Sequence, residues 1–451
     1  MDGAMMRMAG VSHITATATA LLPCLYNGTI SLRPSSLSPR NGGYREQPKL
    51  RLRCVSPSEF DFSPPPIDHD LLDTISDGGG IVSEDGVVES FDNDDEALDA
   101  FDNGVVVVDL SHFGRIRGIS LFYQPRIGTL FALIKSLWCV PCCQVSGDDR
   151  VHFLHNQTTA NFECLNEGQG CDTVFVTPTA RTIDIAHAWI MKNAIMLMVS
   201  PTTCQNIIEM LNKYIFFADK VEIKDITKQT CLFALAGPKC NEIMSKLNLG
   251  DLIGQPYGKH KHYSFDGMPI TVGVGSLISD EGFTMLMSPG GAVSVWKTLL
   301  SEGAVPMGSE AWEKLRVIQG RPAPERELSK EFNVLESGLW NSISLNKGCY
   351  KGQETIARLI TYDGIKQRLC GLELSAQAEP GSTITFDGKK VGKLTSYTRG
   401  RNGSSHFGLG YIKKQAASIG NTVTIGEDIY GIVAEAPYLS RQHPPSTNPS
   451  S

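Results

Sequence analysis

Between Cys54 and Gly114 the chain has no lysine or arginine, yet Glu59 to Asp102 holds fifteen aspartates and glutamates. Such a stretch cannot neutralise itself. With Pro64-Pro65-Pro66 and Gly78-Gly79-Gly80 as breaks, its first part reads as linker and its second as the acidic entry to a domain. Basic charge is scarce overall: 41 Lys and Arg against 48 acids leave a net charge of −7, which argues against nonspecific nucleic-acid binding. A small anionic ligand stays open, because it needs only a local basic pocket. Regular cysteine spacing is also missing. Twelve irregularly placed cysteines exclude a disulfide scaffold and point to reduced thiols in a reducing compartment. No apolar core precedes a small-residue cleavage site near the N-terminus, which argues against secretion.

What is present begins with polarity of the opposite sign. Residues 1–53 carry seven Lys and Arg against Asp2 and Glu46, in a Ser-, Thr-, Ala- and Pro-rich background. That composition reads as an organellar transit peptide over 1–54, chloroplast stroma before mitochondrial matrix, with a plain tail as the alternative. Residues 55–70 read as an acidic, Pro-containing linker. Apolar residues make up 41% of the chain, so the remainder can build cores of ordinary size.

Residues 118–144 contain no Asp or Glu and much Phe, Leu, Ile, Trp and Cys. Without them, Arg115-Ile116-Arg117 runs straight into Val145-Ser146-Gly147, joining a half-buried strand to a turn and a capped helix start at Ser146 and Asp149. The 27 residues correspond to 81 nucleotides, a multiple of three. The segment is therefore read as a retained intron or gene-model error. Its apolar window is shorter than the about 20 residues of a membrane span. Cys139, Cys142 and Cys143 lack a second Cys/His pair at zinc spacing, so no metal and no membrane contact is expected.

Further along, Val105 to Leu110 reads as a buried strand and Thr202 to Phe217 as a helix. From Gln367 the texture becomes short strands with turns, including an Asp387-Gly388 hairpin signal, which predicts a small β-barrel.

The most concentrated chemistry is Lys347-Gly348-Cys349-Tyr350-Lys351-Gly352-Gln353-Glu354. Cys349 between cations is either a thiolate acting as redox sensor, cluster contact or nucleophile, or a buried small hydrophobe. Gly352-Gln353-Glu354 opens a helix, and Glu354 with Arg358 forms a simple pair one turn apart. Lys259-His260-Lys261-His262 reads as a solvated loop, or as an attractor for a polyanionic tail.

Three blocks together resemble the folate-binding family of glycine-cleavage T-proteins and YgfZ-type proteins. They are Asp109 to Arg117 joined to Val145 to Thr159, then Asp280-Glu281-Gly282-Phe283, and the octet preceded by Leu335-Glu336-Ser337-Gly338-Leu339. The octet resembles the YgfZ branch in particular. The resemblance implies an α+β fold: a multi-domain ring around a central folate channel over 71–360 and a C-terminal barrel over 361–440; residues 441–451, rich in Pro and Ser, read as a disordered tail. It implies tetrahydrofolate as cofactor and support of iron–sulfur cluster assembly or repair, with assembly proteins or client enzymes as partners. Tetrahydrofolate-dependent aminomethyl or one-carbon transfer is the alternative, and a scaffold without catalysis the third reading. Asp184 resembles the family aspartate that contacts the pterin and assists transfer; Glu281 and Arg316 resemble folate-contacting positions, with Tyr350 beside them. Residue by residue, the bland alternatives stand too: a strand-end aspartate, a turn glutamate and a solvated helix-face arginine.

Overall fold

The computed structural model describes residues 69–120, 149–217 and 219–442. The expected transit peptide, most of the linker and residues 121–148 lie outside them. Helix His69–Asp77 takes in the last two residues of the stretch 55–70 expected as linker. Leu71 and Ile75, one turn apart and each 1% exposed, pull this helix onto a core.

Two sheets share the larger part of the chain. The first has six strands in the order His260–Phe265, Met268–Val274, Phe283–Met287, Cys231–Ala236, Val106–Asp109 and Val305–Met307. Only the last pair is parallel. The second has five antiparallel strands: Gly170–Val176, Thr182–Ile190, Ala194–Val199, Gly114–Ser120 and Val221–Asp225. The second sheet is thus inserted between two hydrogen-bonded neighbours of the first, Val106–Asp109 and Cys231–Ala236.

Alternation along the strands explains the layering. Val107, Phe233 and Leu235 face a core beneath helices His69–Asp77, Cys240–Lys246 and Pro289–Ser301. Val106, Val108, Leu232 and Ala234 point the other way, onto Trp189, Met196 and Met198 of the second sheet. Ile195, Leu197 and Val199 face helices Asp149–Gln157 and Cys204–Lys213. The inner strands Ala194–Val199 and Cys231–Ala236 are covered on both faces and read as continuous apolar runs, whereas the edge strands His260–Phe265 and Val221–Asp225 are more polar and partly exposed.

Strand Gly114–Ser120 continues three residues past Arg117, and Gly118 and Ile119 pair with Ile195 and Ala194. With 118–144 removed, Val145, Ser146 and Gly147 would occupy these three ladder positions; the rest of that segment lies outside the described residues. Helix Cys204–Lys213 ends before Tyr214, earlier than the apolar spacing suggests.

The C-terminal strands close into a six-stranded barrel in the order Gln367–Leu374, His406–Lys413, Lys389–Arg399, Thr383–Phe386, Thr422–Ile425 and Ile429–Ala434. Asp387 and Gly388 both take positive φ, 50° and 71°, as a tight hairpin requires. The first two residues of the expected tail are held: Asn341 binds the Arg441 carbonyl (2.7 Å) and the Gln442 side chain (2.9 Å), and the rest of that stretch lies outside the described residues.

Candidate functional site

A cavity of about 530 Å³ opens where the two sheets, helix Ser309–Gln319 and the loop after it meet. His112 and Phe113 reach it from the turn after strand Val106–Asp109. The buried Arg115 guanidinium shapes that turn, donating to the Ser111 carbonyl at 2.8 Å and the Thr230 carbonyl at 2.6 Å. Burial and the neighbouring Arg115 charge push the His112 imidazole down to about 4. Ser200, Pro201 and Thr202 line another wall, Leu277 and Ile278 a third, and Trp312 and Arg316 project from the helix.

Asp184 is wholly buried and works from behind this surface. Its carboxylate accepts from the Ser200 amide (2.8 Å), the Ser200 hydroxyl (2.9 Å), the Thr203 hydroxyl (2.5 Å) and the Ile185 amide (2.8 Å). It therefore holds the 200–203 turn that lines the cavity. Burial raises its pKa, against the opposing hydrogen bonds from Thr203 and Ser200.

Arg316 does lie in the cavity wall, buried rather than on a solvated helix face. All five of its N–H groups are committed within the protein. Glu313 takes two at 2.7 Å each; Glu327 (3.0 Å), the Arg321 carbonyl (2.6 Å) and Ser396 (3.1 Å) take the others. Burial disfavours its charge, but Glu313 and Glu327 outweigh this and raise its pKa.

Sequence reasoning passed over Arg321. Helix Ser309–Gln319 ends at Gly320, whose φ of +81° and whose contact with Ala436, 2.4 Å from where a Cβ would sit, leave room for glycine alone. The next residue, Arg321, is 9% exposed and lines the cavity. Its Nε has no hydrogen-bond partner. Behind it, Asp172 accepts from His187 Nδ1 (2.7 Å) and the Tyr257 hydroxyl (2.8 Å). Trp189 donates to His187 Nε2 (2.8 Å), so Nδ1 carries the hydrogen given to Asp172. Burial opposes the Asp172 carboxylate, yet His187, Arg321 and Tyr257 hold it below the usual range.

The other predicted site residues lie elsewhere. Glu281 is exposed on the turn before strand Phe283–Met287 and is not among the cavity-lining residues. The octet docks on the C-terminal end of helix Asp149–Gln157. Lys347 Nζ donates to the carbonyls of His155, Thr158 (2.7 Å) and Ala160 (2.6 Å), and the Lys351 amide donates to Asn156 (3.1 Å). A cation suits the carbonyl end of a helix, although burial pushes the Lys347 ammonium down to about 7. Tyr350 is buried against Val174 and Val176, under Lys347 at 4.6 Å from the ring centre. Gly348 is exposed and unconstrained by close contacts. Gly352, at φ +84°, opens helix Gln353–Thr361; Gln353 donates back to the Lys347 carbonyl (3.3 Å), and Glu354 pairs with Arg358 at 2.5 Å. Cys349 is exposed, not a buried hydrophobe.

The expected loop at 259–262 is instead the start of strand His260–Phe265. His260 is 2% exposed and stacks on Trp189 at 5.0 Å, because its ring fills the space between the sheets. A second cavity, about 560 Å³, lies between the barrel and helix Gln353–Thr361. It is mainly apolar; of its charged lining residues, Lys414 and Asp363 pair with each other at 2.6 Å, Arg368 donates to the Ala417 carbonyl, and Glu435 completes the set.

Residues 139–347 match the GCVT N-terminal domain, and residues 367–431 match the glycine cleavage T-protein C-terminal barrel domain. A chloroplastic protein of Arabidopsis thaliana named "putative transferase" is 81% identical, over 99% of this chain and 97% of its own length. The aminomethyltransferase of Caldanaerobacter subterraneus is 28% identical over 62% of this chain and 77% of its own. The crystal structure of the glycine cleavage system aminomethyltransferase T from Bartonella henselae superposes with a TM-score of 0.66, at 16% identity, over 81% of this chain and 96% of that one. Both family domains in order, and a near-full-length relative at such identity, establish that the chain belongs to the glycine cleavage T-protein family.

Proposed function

We propose that this protein binds tetrahydrofolate or a close derivative in the cavity between the two sheets, and that it supports iron–sulfur cluster assembly or repair in a plastid. The observation that carries the binding half is the cavity itself. Its about 530 Å³ suits a small organic ligand, its walls offer the flat faces of Phe113 and Trp312, and one buried arginine faces inward without a partner. Trp312 and Phe113 would hold the planar ring, Ser200 and Thr202 would supply polar contacts, and Asp184, through Ser200 and Thr203, would keep their turn in place. When bound, a tetrahydrofolate supplies a nitrogen that carries a one-carbon unit.

The iron–sulfur half rests on Cys349, an exposed thiol in the octet that resembles the YgfZ branch. The plastid setting is supported by the basic N-terminus and by the chloroplastic relative. Aminomethyl or one-carbon transfer is the second reading, favoured by the aminomethyltransferase relatives and by the raised pKa of Asp184, which suits a proton donor. Against it, four donors already occupy the Asp184 carboxylate.

Equilibrium titration of the purified protein with tetrahydrofolate tests the first step; no binding up to about 1 mM would sink it. Labelled one-carbon product at the folate would move the assignment to the transferase. Rescue of a bacterial strain lacking its YgfZ-type protein, lost in Cys349→Ala, is the outcome expected for iron–sulfur support. Failure of the parent to rescue would remove that half.

A further inference from the structure

We propose that Arg321 is the carboxylate receptor of the cavity between the sheets. This deepens the ligand-binding reading above and rests on it. Among the described residues, no hydrogen bond links the Arg321 guanidinium to the protein, and its Nε is buried without an acceptor. Leaving a buried donor such as this Nε–H unpaired is unfavourable, so it calls for an acceptor. A planar guanidinium matches a carboxylate through two parallel bonds.

The surroundings hold this fork in place without occupying it. Asp172 and Asp184 both feel the Arg321 charge. Neither carboxylate bonds to it: Asp172 is taken by His187 and Tyr257, and Asp184 by the 200–203 turn and Ile185. The backbone is pinned too. The Arg321 amide donates to the Arg316 carbonyl (3.1 Å), its own carbonyl receives Arg316 (2.6 Å), and Pro322 follows. The neighbouring cation Arg316 has no free donor, so Arg321 is the buried cation in this wall with capacity to bind.

Two sources can supply the carboxylate: the glutamyl tail of a folate, or a small carboxylic acid such as an amino-acid co-substrate. Calorimetric titration of the full chain, with Arg321→Gln and Arg321→Lys beside it, separates them. The probes are 5-formyltetrahydrofolate, a tetrahydropterin lacking the tail, glycine and acetate. If the tail is the partner, Arg321→Gln weakens the folate by about ten- to a hundredfold and leaves the tetrahydropterin unchanged. If a small acid is the partner, folate and pterin bind as in the parent, while glycine or acetate loses binding by a similar factor. Arg321→Lys keeps the charge but not the fork and is expected about tenfold weaker than the parent; it stands in if Arg321→Gln proves unfolded by circular dichroism.

Equal weakening of folate and tetrahydropterin would overturn the carboxylate assignment. So would unchanged binding of all four probes. Loss of folate binding by the parent itself, with Arg321-dependent acetate or glycine binding retained, would refute the folate reading and leave the receptor standing.

Discussion

Arg316 donates a hydrogen bond of 2.6 Å to the backbone carbonyl of Arg321. The two cations lie in one cavity wall, five residues apart, in opposite states. One has every donor engaged and braces the loop; the other has its backbone braced and its Nε unpartnered. The same structural element thus separates a tie from a receptor.

Glu327 is the counterpart of that tie. It is fully buried and accepts from Arg316 (3.0 Å), the Ala323 amide (3.1 Å), Thr395 (2.7 Å) and Ser396 (2.6 Å), linking helix, loop and barrel. Glu327→Gln should cost about 3–5 kcal/mol in denaturant unfolding, because it leaves Arg316 underpaired inside the protein. Glu313→Gln, at a half-exposed carboxylate, should cost less than that. Equal losses would show that burial does not set the difference.

Lys347 satisfies three carbonyls at the end of helix Asp149–Gln157. Lys347→Met should destabilise by about 2–4 kcal/mol, since several acceptors lose their donor together. Lys351→Met removes only contacts with Met210 and the Tyr214 ring, and should fall within about 1 kcal/mol of the parent. Chemical unfolding of the two variants side by side decides this.

The two octet glycines are not equivalent. A Cβ at Gly352 would lie 2.8 Å from the Thr177 carbonyl, at a φ of +84°. At Gly348 its nearest neighbour would be His155 Nε2, 3.9 Å away. Gly352→Ala should lower stability by about 1–3 kcal/mol, and Gly348→Ala by less than about 0.5. A reversed order in thermal melts would contradict the packing.

His112 gives a pH signature. Its folded pKa, about 4, lies below the ordinary value of 6.5. Between these values the unfolded chain binds the extra proton, so stability falls as pH drops from 6.5 towards 4. Subtracting the profile of His112→Gln from that of the parent should leave this acid-side loss and nothing above neutrality. A flat difference would mean that the imidazole is hydrated when folded.

Thiol accessibility provides a direct check on the octet. Cys349 and Cys164 are exposed, whereas Cys204, Cys231, Cys240 and Cys370 are buried. Burial also pushes the Cys240 thiol up to about 12 and Cys370 to about 11. Brief maleimide labelling of the folded protein should modify Cys349 and leave these four unlabelled. Peptide mapping that finds Cys240 or Cys370 labelled before Cys349 would refute the arrangement.

Much of the fold was legible because local and tertiary demands agree. The four valines at 105–108 announce a strand buried on both faces, and Asp387-Gly388 announces the hairpin its dihedrals confirm. The helix opening at Gly352 was likewise readable from its neighbours. The rest depended on partners distant in sequence. His260 looked like one member of a basic loop until Trp189 covered it. Asp184 is recognisable as a strand residue, but not that Ser200 and Thr203 would occupy its oxygens. Arg321 gives no local hint beyond the preceding Gly320, whose place just past a helix is a stop signal.

The nesting of one sheet inside the other has a consequence for synthesis. The second sheet is complete once Asp225 has left the ribosome, while the first still lacks most of its strands and its edge at Val305–Met307. The two opened neighbours, Val106–Asp109 and Cys231–Ala236, meet only after the whole insert lies between them. The inner lobe is therefore made first and the outer lobe closes around it, so the walls of the cavity come together late.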